Sequence, residues 1–204
     1  MNRTLFIAST LASLVTPPSP TPTSVHITSS SWDLWDKSKA LPYDRPLEIT
    51  LDLLDAGYQR FQLTKYRGTA VILNIFATWC GPCNAEQPHI VASAAKYATQ
   101  GLAVIGINAE EEDNAVRAYR KKYGITYPIA MDRGGGLTYN LEVGDSGGKE
   151  LFPVSLFIAP DGYLYGVRQG SMGREELDYR IKHFLAAVSQ QLQTSMPSPS
   201  PSPG

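Results

Sequence analysis

The sequence predicts an α/β fold with a central mixed β-sheet flanked by helices, and three observations support this prediction. The continuous apolar run Ala70–Phe76 is typical of a strand that is buried on both faces. A second buried strand, Leu102–Asn108, follows a helix-forming segment, and this alternation is characteristic of α/β domains. Towards the C-terminus, Val154–Ala159 and Tyr163–Arg168 flank the turn sequence Pro160-Asp161-Gly162, which predicts a β-hairpin.

Composition limits the classes of function. The 204 residues are 43% hydrophobic, which is enough for one buried core, so a single domain with tails is predicted. A net charge of −1 gives no electrostatic reason to expect binding to nucleic acid or to an anionic membrane surface. Both cysteines belong to one short motif, so no structural disulfide framework indicates the cellular compartment.

Residues 1–24 are predicted to be a signal-like or anchor-like segment that leads into a Pro/Ser/Thr-rich linker. The apolar run Leu5–Val15 follows Asn2-Arg3 and is too short for a membrane span, which needs about 20 apolar residues. Its length suits the core of a signal peptide, although no clear cleavage site follows it. We therefore expect export from the cytoplasm, and cleavage stays open.

The rest of the chain divides into three parts. Residues 25–45 are predicted to be an extended arm, in which Trp32 and Trp35 are expected to pack on the domain edge. Residues 46–193 are predicted to form the folded domain. The Pro-Ser repeat in residues 194–204 is predicted to be a disordered tail.

The folded domain is expected to open with a β-hairpin. Leu47, Ile49 and Leu51 alternate with polar residues, which indicates a half-exposed strand. Asp55-Ala56-Gly57 is a turn sequence, and Tyr58–Leu63 is predicted to return as the partner strand. The buried strand described above comes next.

Helices alternate with strands in the remainder of the domain. An alanine-rich helix is predicted over Ala85–Thr99, and a second helix starts at its cap Asp113 and ends at Gly124. A short strand, Tyr127–Met131, and a short helix within residues 134–143 are predicted to follow. The closing helix has one apolar face, formed by Leu177, Ile181, Phe184, Leu185, Val188 and Leu192.

The chemistry of the chain is expected at Trp79-Cys80-Gly81-Pro82-Cys83, directly after the buried strand. Cys80 then lies beside the unpaired N–H groups and the positive dipole end of the first helix, which favour thiolate over thiol. Pro82 falls in the first helical turn, where its missing N–H costs little, and Gly81 leaves the approach to the Cys80 sulfur open. Two cysteines this close can alternate between dithiol and disulfide, so a redox function without any further cofactor is predicted.

The motif W-C-G-P-C after a buried strand, with Pro88 in the same helix and Phe152-Pro153 before a later apolar strand, resembles the thioredoxin superfamily. It is similar in particular to the extracytoplasmic TlpA/ResA-like thiol–disulfide oxidoreductases, over roughly Pro46–Val188. The resemblance implies a thioredoxin fold with an extra N-terminal β-hairpin. It also implies a monomeric enzyme outside the cytoplasm that exchanges its Cys80–Cys83 dithiol or disulfide with protein substrates.

The resemblance assigns roles to residues beside the cysteines. Phe152-Pro153 aligns with the cis-proline loop of the family, which lies against the C-x-x-C motif and pairs its backbone with an extended substrate chain. The bulky Phe152 is expected to narrow the substrate groove. Trp79, Gly81 and Pro82 are expected to support the active site.

Two further residues are expected to govern proton transfer. Glu86 lies three residues after Cys83, and TlpA/ResA-like proteins carry a glutamate at this spacing. Such a carboxylate raises thiol pKa values by repulsion and can relay protons to or from Cys83. Asn74 stands where thioredoxin has a buried aspartate. Because an amide cannot titrate, the proton of Cys83 is expected to go to Glu86 or to water.

The implied mechanism starts with attack of Cys80 on a substrate disulfide and ends when Cys83 attacks Cys80 in the mixed disulfide. Gly81-Pro82 is the dipeptide of thioredoxin itself, which favours the reductant direction. The expected partners are protein disulfides or dithiols, with cytochrome c maturation as one setting, and an upstream thiol electron donor such as a membrane thiol transporter. No nucleic acid is expected, and no membrane contact apart from anchoring through the N-terminal segment.

Three alternatives stay open. A peroxiredoxin-type peroxidase would carry Thr or Ser three residues before the nucleophile and Pro seven before it, where this chain has Ala77 and Leu73. A C-x-x-C metal site for Cu or Zn would need more ligands, and His26, His89 and His183 are scattered and expected to be surface or structural residues. The third alternative is a docking module with redox-inert thiols. Because the chain offers too few ligands for a metal site beside C-x-x-C, no metal ligand is predicted.

Overall fold

The computed structural model describes residues 45–55, 57, 59–137 and 152–195, and for residues 191–195 it describes the backbone alone. No helix in these ranges combines the length and the apolar character that crossing a membrane requires. Predictions that concern the N-terminal segment, the arm with Trp32 and Trp35, and the tail from residue 196 lie outside the described residues. In chain order the elements are β1 (Thr50–Leu53), β2 (Arg60–Gln62), β3 (Ala70–Phe76), α1 (Gly81–Tyr97), β4 (Leu102–Ala109), α2 (Asp113–Tyr123), β5 (Ile129–Asp132), β6 (Val154–Ile158), β7 (Leu164–Gln169) and α3 (Arg174–Ser195).

The strands form one seven-stranded mixed sheet in the order β2-β1-β5-β4-β3-β6-β7. The central strands β3, β4 and β5 are parallel, whereas β6 and β7 add to one side in antiparallel pairing. On the other side, β1 pairs antiparallel with both β2 and β5. The mixed sheet predicted from the sequence is therefore confirmed. In the connection between β1 and β2, Ala56 and Tyr58 lie outside the described residues.

Strand β3 lies inside the sheet, between β4 and β6, and all of its residues are buried. It pairs with β4 in parallel and with β6 in antiparallel fashion, so it has no free edge. An apolar run suits this position because both faces of the strand are covered. Asn74 is its single polar residue, and it lies opposite Ser155 of β6 in the ladder.

Three contacts place α1, α2 and α3 against the same face of the sheet. Asn74 of β3 donates to Glu86 of α1, Phe76 stacks on Tyr119 of α2 at 5.1 Å, and Phe157 of β6 meets Phe184 of α3 edge-on at 5.5 Å. Asn74 and Phe76 are two residues apart, so their side chains leave the strand on one face. Because the crossovers β3-α1-β4 and β4-α2-β5 step across the sheet in one direction, right-handed connections bring both helices to that face.

Several element boundaries differ from the predictions. Helix α1 begins at Gly81 rather than at Ala85, because Cys80 already occupies the N-cap and Pro82 fits the first turn. The predicted return strand stops at Gln62, after which Leu63–Tyr66 forms a 3-10 turn. Helix α3 continues through Ser195, so residues 194 and 195 are helical and not part of the tail. These shifts leave the order of the elements unchanged.

The short helix predicted within residues 134–143 can be followed only at its start. Helical backbone begins at Gly136, and the carboxylate of Asp132 accepts a hydrogen bond from the N–H of Leu137. Such a carboxylate at a helix start satisfies a backbone donor that has no partner within the helix. Residues 138–151, and with them the glycine-rich segment 144–150, lie outside the described residues.

Candidate redox-active site

Cys80 and Cys83 form a disulfide at the start of α1, with their Cα atoms 5.2 Å apart. Cys80 is the N-cap residue of this helix, in extended conformation, and its sulfur accepts a hydrogen bond from the N–H of Cys83 at 3.1 Å. The helix therefore directs a backbone donor and its positive dipole end at the Cys80 sulfur. Such a position stabilises negative charge, and Cys80 is the sulfur best placed to act as a nucleophile.

The loop before β6 lies against this disulfide. The Phe152–Pro153 peptide bond is cis, as the resemblance predicted. The carbonyl oxygen of Phe152 is 3.4 Å from Sγ of Cys80. The loop reaches the cysteines because β6 pairs with β3 up to Val154 and Ile75, near the end of the strand that leads to Cys80. Strand pairing therefore brings together two segments far apart in the sequence.

An exposed apolar surface adjoins the disulfide. Trp79 is 59% exposed, and its ring meets the edge of the Phe152 ring at a centroid distance of 6.3 Å. Phe152 itself is only 9% exposed, so the tryptophan supplies most of the accessible aromatic surface. A Cβ atom built on Gly81 would meet nothing within 4 Å, which leaves this side of the motif open. The accessible aromatic surface therefore lies directly beside the disulfide.

Glu86 lies one helical turn beyond Cys83 and is only 2% exposed. Its Oε1 accepts a hydrogen bond from the backbone N–H of Met172 at 2.9 Å, and its Oε2 accepts one from Nδ2 of Asn74 at 3.1 Å. Burial raises the pKa of Glu86 to about 7, while these two donors and the charge of Arg168 lower it. A carboxyl group with this pKa can both accept and donate a proton near neutral pH.

A second polar cluster holds the segment that precedes Cys80. The carboxylate of Glu111 accepts hydrogen bonds from the backbone N–H of Thr78 at 2.6 Å and from Nδ2 of Asn108 at 2.6 Å. The hydroxyl of Thr78 donates to the same carboxylate. Nδ2 of Asn84 on α1 donates to the Thr78 carbonyl at 3.4 Å. Hydrogen bonds from the end of β4 and from α1 thus hold the chain segment that leads to Cys80.

The structure brings the predicted site residues together around one disulfide. Trp79, Gly81 and Pro82 form the exposed side of the motif, the buried Phe152-Pro153 segment lies against Cys80, and Asn74 and Glu86 are hydrogen-bonded to each other in the interior. Sequence reasoning missed Glu111, Ser155 and the N–H of Met172. Ser155 could have been found, because it is the single polar residue in the apolar strand β6. The backbone N–H of Met172 gives no signal in any sequence pattern.

The other titratable candidates lie elsewhere. Nδ1 of His183 is 3.3 Å from the hydroxyl of Tyr165, and His89 is a partly buried residue of α1, so both are structural or surface residues. Among the residues that the structure describes, no group of three or more His, Cys, Asp or Glu side chains could hold a metal ion. His26 lies outside the described residues.

Comparison with known proteins agrees with this geometry. Residues 46–167 match the AhpC/TSA family. The thiol-disulfide oxidoreductase ResA of Bacillus thuringiensis subsp. konkukian is 32% identical over 128 residues, which are 63% of this chain and 70% of that protein. ResA of Halalkalibacterium halodurans is 29% identical over 156 residues, which are 76% of this chain and 82% of that protein.

Comparison with solved structures identifies the fold. A thiol:disulfide interchange protein of the thioredoxin family from Chlorobium tepidum TLS superposes with a TM-score of 0.59 at 30% identity, covering 69% of this chain and 97% of its own. The predicted thioredoxin fold is thus confirmed. Since the matched segment is more than half of the chain and includes both cysteines and the Phe152–Pro153 loop, the chain belongs to the AhpC/TSA family.

Proposed function

We propose that this thiol–disulfide oxidoreductase reduces disulfide bonds of protein substrates outside the cytoplasm, through its Cys80–Cys83 pair. The observation that carries the proposal is the disulfide at the N-terminus of α1, with the Phe152 carbonyl 3.4 Å from the Cys80 sulfur. The sulfur is held where negative charge is stabilised, beside a backbone segment that an extended substrate can pair with. Thiol-disulfide oxidoreductase is also the activity in the names of the ResA relatives.

In the first step, the Cys80 thiolate attacks one sulfur of a substrate disulfide. A bond forms between Cys80 and that sulfur, the substrate S–S bond breaks, and the departing substrate thiolate takes up a proton. The N–H of Cys83 and the helix N-terminus stabilise the attacking thiolate before the bond forms. The open side at Gly81 and the exposed ring of Trp79 admit the substrate chain.

In the second step, Cys83 loses its proton and attacks Sγ of Cys80. The Cys80–Cys83 bond forms, the mixed disulfide breaks, and the second substrate thiol leaves, so two electrons have passed from the dithiol to the substrate. Glu86 is the nearest proton acceptor along α1 and its pKa of about 7 matches this task. Asn74 cannot take the proton, and it instead donates to Glu86.

The reductant direction is supported by Gly81-Pro82, the dipeptide that thioredoxin carries. The extracytoplasmic location is supported by the apolar run Leu5–Val15 after Asn2-Arg3. A thiol donor, such as a membrane thiol transporter, returns the disulfide to the dithiol by the same exchange. Peroxidase chemistry has no support, since Ala77 has no hydroxyl and Leu73 replaces the proline of that pattern.

A trapping experiment tests the proposal. In Cys83→Ser, the first step proceeds and the second cannot, so a mixed disulfide between Cys80 and its protein partner should accumulate in cells. The matched control Cys80→Ser should trap nothing and should lose activity. An empty Cys83→Ser trap beside an active wild type would overturn the order of attack. Full activity of Cys80→Ser would favour the docking alternative, and metal bound to the purified chain would favour the metal-site alternative.

A further inference from the structure

Asn74 and Ser155 are the polar residues of two otherwise apolar neighbouring strands, β3 and β6. They are paired across the antiparallel ladder, so both side chains leave the sheet on the same face. Each is 1% exposed. Polar side chains this deep require hydrogen-bond partners, because an unsatisfied buried group costs stability. The pairing of two such residues in the core therefore calls for an explanation.

The hydrogen bonds of the Asn74 amide supply one. Nδ2 of Asn74 lies 3.1 Å from Oε2 of Glu86 and 3.1 Å from Oγ of Ser155. An amide nitrogen carries two hydrogens, so both are used. Rotated by half a turn, the amide would present its own oxygen to the Glu86 carboxylate, and two acceptors would face each other. The ionised Glu86 carboxylate, which only accepts, selects the orientation in which Asn74 donates, and the Ser155 oxygen accepts the second hydrogen and holds the amide plane in that position.

We propose that Ser155 is a positioning residue that keeps the Asn74 N–H directed at Glu86 and so sets the pH at which Glu86 exchanges its proton. This inference rests on the proposed role of Glu86 as the proton acceptor of Cys83. Ser155 does not touch the reacting sulfurs in this scheme. It acts through Asn74 alone.

The charged and titratable groups near Glu86, other than its direct hydrogen-bond donors, have little net effect on its pKa. Arg168 on β7 lowers the pKa of Glu86 and Glu176 on α3 raises it, and these two are paired with each other at 2.9 Å, so their effects partly offset. On the α2 side lie Tyr119 and Tyr127, whose own pKa values are raised by burial, so both are neutral at physiological pH.

Two direct donors to the carboxylate remain. The N–H of Met172 is held by the backbone, whereas the amide of Asn74 can rotate about its side-chain bond. Cys83, on the same helix, is the group that Glu86 serves. The orientation of Asn74 is therefore the adjustable element of this environment.

Removing the hydroxyl should weaken the donor that stabilises ionised Glu86. In Ser155→Val the second amide hydrogen loses its acceptor, and the Asn74 side chain is held less firmly against Glu86. The pKa of Glu86 should then rise by on the order of half a unit or more, as expected when a hydrogen bond to an anion is weakened. Ser155→Thr has nearly the same shape as Ser155→Val and keeps the hydroxyl, so it should titrate like the wild type.

The experiment follows the Glu86 carboxyl carbon by NMR across pH in the oxidised protein, where the cysteines do not titrate. We expect the midpoint of the Glu86 titration to be raised in Ser155→Val and in the smaller variant Ser155→Ala. In Ser155→Thr it should equal that of the wild type. In an Asn74→Ala background, Ser155→Ala should produce no further shift. An unchanged midpoint in both hydroxyl-free variants overturns the proposal, as does an equal shift in the Asn74→Ala background. Ser155→Ala keeps the test available should the larger valine prevent folding.

Failure of the proposed function would be visible elsewhere. If Glu86→Gln leaves the pH profile of Cys83 alkylation unchanged, Glu86 does not accept that proton, whatever Ser155 does to its titration. If Glu86→Gln alters the profile while the Ser155 variants leave the Glu86 midpoint in place, the role of Glu86 stands and that of Ser155 is wrong.

Discussion

The carbonyl oxygen of Phe152 and Sγ of Cys80 lie 3.4 Å apart. In the dithiol state, the Cys80 S–H can donate to this oxygen, whereas a thiolate would meet the negative end of the carbonyl dipole. From the helix side, the N–H of Cys83 lies 3.1 Å from the same sulfur and favours the thiolate. The sulfur thus lies between a group that stabilises its proton and a helix end that stabilises its charge.

We expect the helix end to dominate in the reduced protein. Cys80 should then react with iodoacetamide at pH 7 about tenfold faster than an unstructured peptide thiol, through its larger thiolate fraction. Cys83 should react far more slowly, since it is buried behind Cys80. Mass spectrometry of the alkylated peptides, with Cys80→Ser and Cys83→Ser as matched controls, measures both rates. Equal and peptide-like rates for the two sulfurs would contradict the assignment.

Glu86 should make the stability of the oxidised protein depend on pH. Its folded pKa of about 7 is above the ordinary value of 4.5, so the folded state binds more protons between these values. The resulting stabilisation is complete below about pH 4.5 and is lost as the pH rises through 7, to an extent on the order of 3 kcal/mol. Glu86→Gln should remove this dependence.

Urea denaturation at pH 4.5, 6 and 8 measures the effect. Glu48 is an exposed residue outside the site, so Glu48→Gln is the control. Wild type and this control should lose stability as the pH rises from 4.5 to 8. Glu86→Gln should lose clearly less. Parallel pH dependence in wild type and Glu86→Gln would show that the carboxyl is ionised in the folded state well below neutral pH.

Trp79→Ala should affect large substrates selectively. The ring is 59% exposed beside the disulfide, so its removal costs little stability, within about 1 kcal/mol. We expect kcat/KM for a protein disulfide to fall about tenfold, because apolar contact with the substrate is lost, and the rate with a small disulfide to change less than about twofold. Tyr179→Ala, which removes a similarly exposed ring on α3, should change neither rate. Equal losses with both substrates would indicate altered chemistry at Cys80.

Thr78→Val should loosen the segment that leads to Cys80. The variant keeps the shape of threonine and removes the hydroxyl that donates to Glu111, so we expect a loss of about 1–2 kcal/mol in the free energy of unfolding. Cys80 alkylation should also become slower, since the sulfur is held less firmly at the helix end. Thr78→Ser keeps the hydroxyl and should retain wild-type alkylation. If Thr78→Val loses stability without a change in alkylation, the contact is structural only.

The sequence carries the fold and the chemistry of the cysteines because both depend on local patterns. The apolar run of β3, the turn at Pro160-Asp161-Gly162 and the Cys80–Cys83 spacing each predict one element, and the structure contains all of them. The alanine-rich segment alone predicts a helix from Ala85, whereas the structure begins α1 at Gly81, as the expected position of Pro82 in the first turn already implies, and the sulfur of Cys80 serves as the helix cap.

Contacts between distant segments could not be predicted. Glu111 reaches Thr78, and the N–H of Met172 reaches Glu86, across separations that only the assembled sheet brings together. The pKa of Glu86 could not be predicted either, since it depends on burial by elements from β3 to α3. The resemblance predicts that Glu86 carries the mobile proton, whereas its buried environment is visible only in the structure.

The N–H that Cys83 donates to the Cys80 sulfur has a consequence for timing. In the proposed mechanism, the residue that expels a captured partner lies one helical turn from the residue that captures it, with the two Cα atoms 5.2 Å apart. Release therefore needs no search and no large rearrangement, only the departure of one proton. If the pair works as proposed, we therefore expect the mixed disulfide with a substrate to be short-lived.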